Sequence, residues 1–506
     1  MTSEVLINVG PGETRVAVME DGRLDEYFVE RVPALGEDET RRGRSGHSIL
    51  GNIILGRVQR VLPAMDAAFV EIGQERAGFL SAREARCLAE MSELNGEAMP
   101  PIGLCVKEGD AVLVQVIKDP IGDKGARLSA NVTVPGRLLV LVPQQKGLAL
   151  SRRIEDEAER ERLSALMARV AEDPDAMRGA GYIVRTVAIG TGFDELRDDA
   201  AAISAEWRKI EAARQSARAP ATVWHDLDPV ARTLRDNVKA DTARVLIDCP
   251  EAHAEALAYA RRAMPHMAAG ISLHNGHETL FDAYGIEDEV DRLLDMRVDL
   301  CCGGWITIET TEALTAIDVN SGSLTGANCL EETGYRTNLD AAAEIGRQVR
   351  LRGIGGLIVA DFIHMGDPEN IASVLQTLAL SLGRDRVPTQ ILGFSEFGLV
   401  EMTRKRTREP LAKFLTEPYR GCLMGGRVKT IVTVANEVMR RIEREARCQP
   451  GRSLLVQTSP DVARWLKAQE EGAMRRLRAR IGNPLKLEAR ENYGRMRFDV
   501  TPVDLQ

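Results

Sequence analysis

The chain has 506 residues, of which 44% are hydrophobic and 28% are charged, and its formal net charge is −9. This length predicts roughly three or more folding units, and the composition is that of a soluble globular protein rather than of a disordered or membrane protein. The negative total is only a weak argument against nucleic-acid binding, because phosphate binding depends on local basic clusters.

Targeting and metal-binding sequences are sparse. The chain begins Met1-Thr2-Ser3-Glu4 without a basic stretch, and no apolar run approaches the ~18 residues that a membrane span needs. A cytoplasmic location without a membrane span is therefore the default expectation. The eight cysteines include no C-x-x-C pair, so neither a disulfide framework nor a complete intrachain zinc site is predicted.

The first 135 residues are predicted to be rich in strands. Strands at residues 5–9 and 14–19 flank a Gly-Pro-Gly turn, but two strands are not a stable unit, so residues 1–45 form part of something larger. Short strands at residues 53–58, 67–72, 78–80 and 112–117 then predict a small OB-type barrel.

This barrel carries aromatic and lysine side chains suited to nucleic acid. Phe69, Phe79, Lys118 and Lys124 are of the types that stack on bases and follow phosphates on OB surfaces. Phe69 is expected in the core, because its neighbours are apolar. Phe79 follows a glycine between polar segments and is the better candidate for exposure.

Residues 136–225 combine two strands, at residues 138–142 and 181–187, with two long polar helices, at residues 155–171 and 194–217. Arg185 and Thr186 lie together near the end of the second strand. A guanidinium and a hydroxyl can hold a terminal phosphate through charge-assisted hydrogen bonds. The alternative is that Arg185 pairs with an acid of a neighbouring helix.

Mixed α/β structure is predicted from residue 226, and within it two buried strands each end in an acid. These strands, at residues 314–318 and 356–361, deliver Asp318 and Asp361 to a sheet edge. Paired carboxylates suit Mg²⁺ or Mn²⁺, and that chemistry is typical of phosphodiester hydrolysis. In the alternative, Asp318 caps a turn and Asp361 pairs with Arg347 or Arg350.

A helix is predicted between the two acidic strands, at about residues 338–350. Ala342, Ile345 and Val349 lie on one of its faces, so the helix is expected to cover the sheet. Basic clusters follow further along the chain. The first cluster contains Arg404, Lys405, Arg406 and Arg408, and the second contains Arg475, Arg476, Arg478 and Arg480. In the alternative, each cluster is simply a solvated helix face.

Taken together, several of these stretches resemble the bacterial RNase E/G endoribonucleases over nearly the whole chain, and most closely the shorter RNase G-type members. The stretches that carry the resemblance include Ala67-Ala68-Phe69-Val70, Lys124-Gly125-Ala126, Ser151-Arg152-Arg153-Ile154, Ile183-Val184-Arg185-Thr186, Asp318-Val319-Asn320-Ser321-Gly322, Asp361-Phe362-Ile363 and Gly398-Leu399-Val400-Glu401-Met402-Thr403-Arg404-Lys405-Arg406. None of them would suffice alone.

The resemblance implies a multidomain α/β and β fold. It consists of an RNase H-like unit (1–45 and 226–294) interrupted by an S1-type OB barrel (46–135) and a 5′-sensor region (136–225). A DNase I-like catalytic unit (295–413), a linker (414–430) and a small C-terminal α/β dimerisation domain (431–506) follow. The strands of residues 1–45 would then find their partners after residue 226.

The resemblance also assigns roles to individual residues. Asp318 and Asp361 would hold Mg²⁺, or Mn²⁺ in its place, and Asn320 would contact the scissile phosphate. Phe69, Phe79 and Lys124 would hold RNA, and Arg185 and Thr186 a 5′-monophosphate. Beyond the resemblance, Lys118 is predicted to bind RNA from its place in the barrel, and Arg404, Lys405 and Arg406 are predicted to contact the phosphate backbone because of their charge. The implied reaction is in-line attack of water on phosphorus, leaving 3′-hydroxyl and 5′-phosphate ends.

The implied substrate is single-stranded, A/U-rich RNA, both ribosomal RNA precursors and messenger RNA, and the implied assembly is a homodimer or homotetramer. Two positions depart from the family. The family links two protomers through zinc bound at a C-x-x-C motif, which corresponds here to Tyr419 and Cys422, and one thiolate from each of two protomers falls short of the four ligands of a structural zinc site. His364 replaces an acid three residues after the second metal ligand.

Two other function classes compete with this interpretation. A non-catalytic RNA-binding scaffold is disfavoured by the joint presence of Asp318, Asn320 and Asp361. A metal-dependent nuclease acting on DNA is disfavoured by the single-strand barrel and the 5′-end pocket, neither of which suits a duplex.

Overall fold

The structure is a computed structural model of the chain, and it describes residues 2–31, 48–89, 100–120, 124–177, 179–239, 241–322, 330–419, 426–469 and 472–503. Contacts divide the chain into two compact units. One contains residues 1–11, 15–29 and 274–506, and the other contains residues 12–14 and 30–273. The finer division into seven segments stays a prediction. In the described residues, no helix is both long enough and apolar enough to cross a membrane.

Three neighbouring strands open the chain: β1 (Ser3–Val9), β2 (Glu13–Glu20) and β3 (Arg23–Arg31). The first two were predicted and the third was not. The barrel elements follow: β4 (Ile53–Leu62), β5 (Ala67–Glu71), β6 (Gly78–Ser81), α1 (Ala82–Ala85), α2 (Ile102–Cys105), β7 (Ala111–Lys118) and β8 (Arg127–Ser129).

These five strands form a closed barrel, as the sequence predicted for an OB-type unit. The pairs run β4–β5–β6–β8–β7, and β7 returns to β4. Alternate residues of β4 and β7 point inward to a core that includes Ile54, Val58, Val114 and Val116. Strand β8 was missed, because its three residues are too short a run for an alternating pattern to be recognised.

The next region is a four-stranded sheet covered by two helices. Its elements are β9 (Val134–Pro135), β10 (Leu139–Val142), β11 (Gly147–Leu150), α3 (Glu157–Val170), β12 (Gly181–Val184) and α4 (Phe193–Ser216). Both helices were predicted to within two residues. The strand predicted at 181–187 ends at residue 184, because Thr186–Ala188 forms a single 3-10 turn.

The unit that contains this sheet ends with further short elements: β13 (Ala221–Trp224), α5 (Pro229–Asn237), β14 (Thr242–Ile247), α6 (Pro250–Ala263) and β15 (Ile271–Leu273). Strand β13 extends the barrel sheet by pairing with β4. Strands β14 and β15 pair in parallel, with α6 as the connection.

The acidic strands belong to the other unit, in a six-stranded mixed sheet of order β16-β17-β18-β19-β21-β20. Two short helices, α7 (Leu280–Ala283) and α8 (Ile286–Arg292), precede it. The sheet elements are β16 (Arg297–Asp299), β17 (Trp305–Thr310), β18 (Leu314–Asn320), α9 (Leu330–Leu351), β19 (Gly356–Asp361), α10 (Pro368–Gly383), β20 (Thr389–Phe394) and β21 (Leu399–Arg404).

Helices α9 and α10 cover one face of this sheet. Ala342, Ile345 and Val349 of α9 are fully buried against it, which confirms the predicted helix face. Helix α9 begins eight residues earlier than predicted, at Leu330. The opposite face of the strands carries the exposed and half-buried residues, including Ala316, Asp318 and Asp361.

The remaining residues form a linker and a small α/β region. Their elements are α11 (Leu411–Leu415), β22 (Thr416–Pro418), β23 (Arg427–Lys429), α12 (Ile431–Cys448), β24 (Ser453–Thr458), α13 (Pro460–Ala468), α14 (Ala473–Ile481), β25 (Leu485–Ala489) and β26 (Phe498–Val503). The three-stranded sheet, of order β25-β24-β26, packs on α12 around Val438, Ile442 and Val456.

Candidate functional site

The two acids that end β18 and β19 lie directly opposite each other. The strands are parallel, and their register pairs Ile317 with Ala360 and Asp318 with Asp361. Both aspartates are exposed, while Ile317 and Ala360 point to the core. Neighbouring strands are ~4.8 Å apart, so the two side chains emerge side by side on the open face of the sheet. Asp318 and Asp361 therefore lie together, as the sequence predicted, and their role as a metal site stays a prediction.

Asn320 completes this group. It lies two residues beyond Asp318 on the same face of β18, and its Nδ2 donates a 2.7 Å hydrogen bond to Oδ2 of Asp318. An amide nitrogen carries two N–H donors, so one remains for another acceptor. The three residues that the motif joined are therefore adjacent in the structure.

The half of the structural alternative that pairs Asp361 with Arg347 or Arg350 is wrong, whereas the bond between Asp318 and Asn320 agrees with the half that concerns Asp318. Arg347 pairs with Glu344 and Glu289, and Arg350 pairs with Asp25 and with the carbonyl of Ser381. Within the described ranges, no arginine or lysine forms an ion pair with Asp318 or Asp361. Asp318 and Asp361 are thus two negative charges side by side, and no basic side chain of the described residues neutralises them. A divalent cation would do so.

Helix α9 holds the segment that follows Asp361. The side-chain amide of Asn338, which is fully buried, donates to the Ile363 carbonyl at 2.7 Å and accepts from the Ile363 N–H at 3.0 Å. Glu331 accepts from the backbone N–H groups of Gly366 and Asp367. Sequence reasoning missed both residues, because a polar residue at the start of a helix pattern does not indicate which distant loop it will bind.

Few side chains of the described residues could bind a metal ion beside Asp318 and Asp361. Among the described residues, no group of three or more histidine, cysteine, aspartate or glutamate side chains is placed to hold a metal ion. Two carboxylates suit Mg²⁺, which keeps several waters and is commonly held by one or two carboxylates together with substrate phosphate. His364, the third residue after Asp361, is exposed beyond the end of β19.

The first basic cluster divides between core and surface. Arg404 is buried, with its Nε bonded to Asp385 at 2.6 Å and one terminal nitrogen bonded to the Ile354 carbonyl. Its predicted contact with phosphate is therefore wrong, because the charge is used inside the protein. Lys405 and Arg406 are exposed, although Nε of Arg406 also binds the Gly355 carbonyl.

The last arginine of this cluster is also structural. Arg408 donates to the carbonyls of Tyr27 and Arg350, and burial lowers its pKa to about 10. In the second cluster, Arg476 and Arg480 donate to carbonyls at the end of β1, which belongs to the same unit. Both clusters therefore contain structural anchors.

The barrel carries an aromatic and basic row on its outer surface. Phe69 pairs in register with Phe79, with their rings 6.0 Å apart in an edge-to-face arrangement. Both are half-buried, so the prediction that Phe69 belongs to the core is wrong: Ala68 and Val70, on either side, point inward in its place. When every residue of a strand is apolar, the sequence does not show which alternate residues face the core and which face outward.

The same row continues into arginines that the sequence analysis missed. Arg60 pairs with Phe69 on one side, and Arg127 pairs with both Phe79 and Lys118 on the other. The Arg127 guanidinium lies 6.0 Å from the centre of the Phe79 ring. Only the strand register could have found these arginines, since they are 9 and 48 residues away from their aromatic partners.

Lys124, which opens the motif Lys124-Gly125-Ala126, stands exposed just before β8. Gly125 is required there, because an added Cβ would lie 2.0 Å from the Ala77 carbonyl oxygen. The close approach lets Ala126 accept a 2.8 Å bond from the Phe79 N–H. Lys124 is thereby tied to the strand that carries Phe79.

The residues predicted to bind a terminal phosphate lie together at the end of β12. The Thr186 hydroxyl is 3.0 Å from the Ser151 hydroxyl. Arg185 donates from one terminal nitrogen to the Gly136 carbonyl and from the other to Asp236, both at 2.7 Å. The alternative, an ion pair between Arg185 and an acid of a neighbouring helix, is thus confirmed, since Asp236 belongs to α5, while the contact with a terminal phosphate stays a prediction.

Asp236 is held by two arginines. Burial raises its pKa, but the hydrogen bonds and charges of Arg235 and Arg185 lower it further, so that the net pKa lies below the ordinary value. The carboxylate remains charged at neutral pH and fixes the Arg185 guanidinium. Of the five N–H donors of that guanidinium, two are used in these bonds, so donors remain for an anion.

Of the two residues that correspond to the predicted zinc link, Tyr419 and Cys422, only Tyr419 lies in the described part of the linker. Tyr419 is 55% exposed after β22, while Cys422 lies outside the described residues. The prediction against zinc therefore stays a prediction.

Comparisons with known proteins give consistent matches. The model of the Ribonuclease E/G family matches residues 133–407. Ribonuclease G of Escherichia coli (strain K12) is 38% identical over 504 residues, which cover 99% of each chain. Ribonuclease G of Haemophilus influenzae is 38% identical over 501 residues, or 98% of this chain and 99% of that protein. Ribonuclease E of Nostoc sp. is 38% identical over 392 residues, or 75% of this chain and 54% of that protein.

Proposed function

This chain belongs to the ribonuclease E/G family, and we propose that it is a metal-dependent endoribonuclease that hydrolyses single-stranded RNA to 3′-hydroxyl and 5′-phosphate ends. The observation that carries the proposal is the pairing of Asp318 with Asp361 on an open sheet face, with Asn320 bonded to the first. The names of the relatives support the reaction class. The RNase H-like and DNase I-like assignments of the domains belong to this proposal.

Asp318 and Asp361 are the residues that would hold Mg²⁺, or Mn²⁺ in its place. Their four oxygens are hard donors, and no protein cation competes for them within the described residues. When bound, the cation supplies stabilisation of the negative charge on the phosphoryl oxygens and lowers the pKa of water nearby. Two carboxylates from the protein would be enough for such a cation, because Mg²⁺ commonly keeps several waters and binds substrate phosphate.

The chain's own groups position the substrate around this point. Asn320 keeps one N–H free of its bond to Asp318 and can donate it to a phosphate oxygen. Asn338 holds the backbone after Asp361, so that the second carboxylate stays in register. Neither group transfers a proton, in agreement with the expectation that water, and not the RNA 2′-hydroxyl, is the attacking group.

The barrel row supplies binding for a single strand. Phe69 and Phe79 offer ring surface, while Arg60, Arg127 and Lys118 lie in the same row. Bases stack on aromatic groups and phosphates follow the cations, without need for a duplex. A/U-rich strands are favoured because they unstack and unpair at the lowest cost.

The Arg185 and Thr186 group would bind a 5′-monophosphate. The ion pair with Asp236 orients the guanidinium, whose remaining N–H groups would donate to the anion, and the Thr186 and Ser151 hydroxyls, 3.0 Å apart, would be further donors. A monophosphate fits this small set of donors better than a triphosphate does. Ribosomal RNA maturation and messenger decay, a homodimeric or homotetrameric assembly and a cytoplasmic location are parts of the same proposal.

The test is cleavage of a 5′-monophosphorylated, A/U-rich RNA with Mg²⁺ and with chelator. We expect Asp318→Asn to lower the cleavage rate by roughly 100-fold or more, beyond the 10- to 100-fold typical of an outer-shell residue. Glu309→Gln, an exposed acid on the same sheet face, is the matched control. Cleavage by Asp318→Asn at the wild-type rate would refute the assigned site. RNA binding without cleavage by the wild-type protein would favour the scaffold alternative.

The 5′-end assignment needs a second comparison. The wild-type protein is expected to cut the 5′-monophosphorylated RNA about ten-fold faster than the triphosphorylated form, and Arg185→Ala is expected to remove the difference. The same variant should cut a circular RNA of the same sequence as fast as the wild type does. Equal loss on all three substrates would show that Arg185 acts only in folding.

A further inference from the structure

A tryptophan stands beside the two acids and has no part in the function described above. Trp305, in β17, pairs in register with Asn320, and the next pair on that face is Thr307 with Asp318. Partners in antiparallel strands point to the same face of a sheet. The indole therefore lies next to Asn320 on the open face, one strand away from the paired carboxylates.

An arginine stacks on this indole. The guanidinium carbon of Arg297, in β16, lies 4.3 Å from the ring centre, and Nε of Arg297 donates to Asp299 at 2.8 Å. The Arg297 side chain is 58% exposed. One planar face of the guanidinium is thus covered by the indole, while its other parts reach solvent next to the active face.

Two glycines, Gly322 and Gly304, allow close packing around Trp305 and the strand that carries Asn320. A Cβ on Gly322 would lie 3.4 Å from Cζ3 of Trp305 and 2.6 Å from the Gly303 carbonyl oxygen, and Gly322 has a φ of +64°. A Cβ on Gly304 would lie 2.5 Å from the Asn320 carbonyl oxygen. Close backbone packing therefore holds the ring of Trp305 and the strand that carries Asn320 at a fixed spacing.

We propose that Trp305 and Arg297 form a nucleotide subsite, in which the base next to the scissile phosphate stacks on the guanidinium–indole pair. This inference rests on the proposed function and deepens it. Flat guanidinium and aromatic groups are the surfaces on which proteins stack unpaired bases of RNA. The exposed guanidinium of Arg297, which pairs with Asp299, would also attract a phosphate of the same strand.

The position explains why the occupant is a nucleotide. Asn320 is the group assigned to the scissile phosphate, and Trp305 is its direct neighbour across the strand pair. In this proposal the base attached to the adjacent ribose points sideways from the RNA backbone toward Trp305, which lies one strand spacing, ~4.8 Å, from Asn320. A subsite at this place selects for a strand whose base is unpaired, which agrees with a single-stranded substrate.

The first experiment removes one base at a time from the RNA. A series of 5′-monophosphorylated oligonucleotides, each with one abasic position, is cleaved by the wild type, Trp305→Leu, Trp305→Phe and Arg297→Ala. In the wild type, one position adjacent to the cut should lower kcat/KM by about ten-fold or more. In Trp305→Leu and Arg297→Ala the intact RNA should be slower by a similar factor, with little further loss at that position. Trp305→Phe should behave like the wild type.

A matched control exists outside the site. Arg497 stacks on Tyr493 with 4.5 Å between the guanidinium carbon and the ring centre, in the small C-terminal region. Tyr493→Leu and Arg497→Ala should leave the abasic profile unchanged. Two results would overturn the subsite: Trp305→Leu cleaves the RNA as fast as the wild type, or it loses the same factor on the intact RNA and at every abasic position.

A binding experiment separates this inference from the proposed reaction. With Asp318→Asn, which holds RNA without cutting it, tryptophan fluorescence should fall when a short A/U-rich RNA binds, because a stacked base quenches the indole. Adding Trp305→Phe should abolish the quenching while the anisotropy of labelled RNA still reports binding. Persistent quenching would overturn the subsite. If the wild type cleaves no RNA, the proposed function fails, and this binding result alone decides the inference.

Discussion

The paired carboxylates predict a stability effect that depends on the cation. Two unit charges about 4.8 Å apart in water repel each other by about 0.9 kcal/mol. Both aspartates are exposed, so the value for water applies. In chelator, Asp318→Asn should therefore stabilise the unit that contains the site by up to about 0.9 kcal/mol, or roughly 2–4 °C in its unfolding midpoint.

Added Mg²⁺ should reverse the order of stabilities. A ligand at 100 times its dissociation constant stabilises the folded state by about 2.7 kcal/mol, so the wild-type midpoint should rise by roughly 5–10 °C. Asp318→Asn should lose most of this rise, because one of the two protein ligands no longer carries charge. Asp361→Asn should behave in the same way, since the register makes the two acids equivalent neighbours.

The assay is thermal unfolding followed by circular dichroism, in chelator and across a Mg²⁺ titration. Glu309→Gln is the matched control: it removes an exposed charge from the same sheet, opposite Ala316 and away from the pair. Its midpoint should follow the wild type in both conditions. An equal Mg²⁺-induced rise in the wild type and in both aspartate variants would refute a cation held between β18 and β19.

Buried polar contacts support three further predictions. Asn338→Ala removes both hydrogen bonds to the backbone after β19, so it should lower the free energy of unfolding, measured in urea, by about 1–3 kcal/mol. It should also lower kcat more than it raises KM. An unchanged kcat would contradict the positioning role. Asp385→Ala leaves the buried Arg404 charge unpaired and should cost about 3–5 kcal/mol; a loss below about 0.5 kcal/mol, typical of a surface residue, would contradict the structural role. Burial raises the pKa of Glu287, but Arg15 lowers it further, to about 2, below the ordinary value of 4.5. Its charged form thus stabilises the fold above the unfolded-state pKa, and this contribution is lost as pH falls from 4.5 to about 2. Glu287→Gln should be less stable than the wild type at pH 7 and approach it across that window in acid unfolding; a constant difference would contradict the linkage.

Local patterns in the sequence predicted much of the fold. The helix face of Ala342, Ile345 and Val349 is buried as expected, because a 3.6-residue period is a property of one segment alone. The helices at residues 157–170 and 193–216 and the barrel strands were likewise recognised from local patterns, of helical type in the helices and of short β-type runs in the strands. Short elements such as β8 carry too few residues for any period to show.

The sequence by itself also determined the candidate acids, because each follows an apolar strand and ends it with a charge. Only the tertiary structure decided that Asp318 and Asp361 share one register position, and that Arg404 lies in the core although it stands in a basic run. It likewise turned Phe69 outward and placed Arg297 on Trp305. The physical reason is that strand register and the pairing of charges depend on residues tens of positions apart, about which no local pattern carries information.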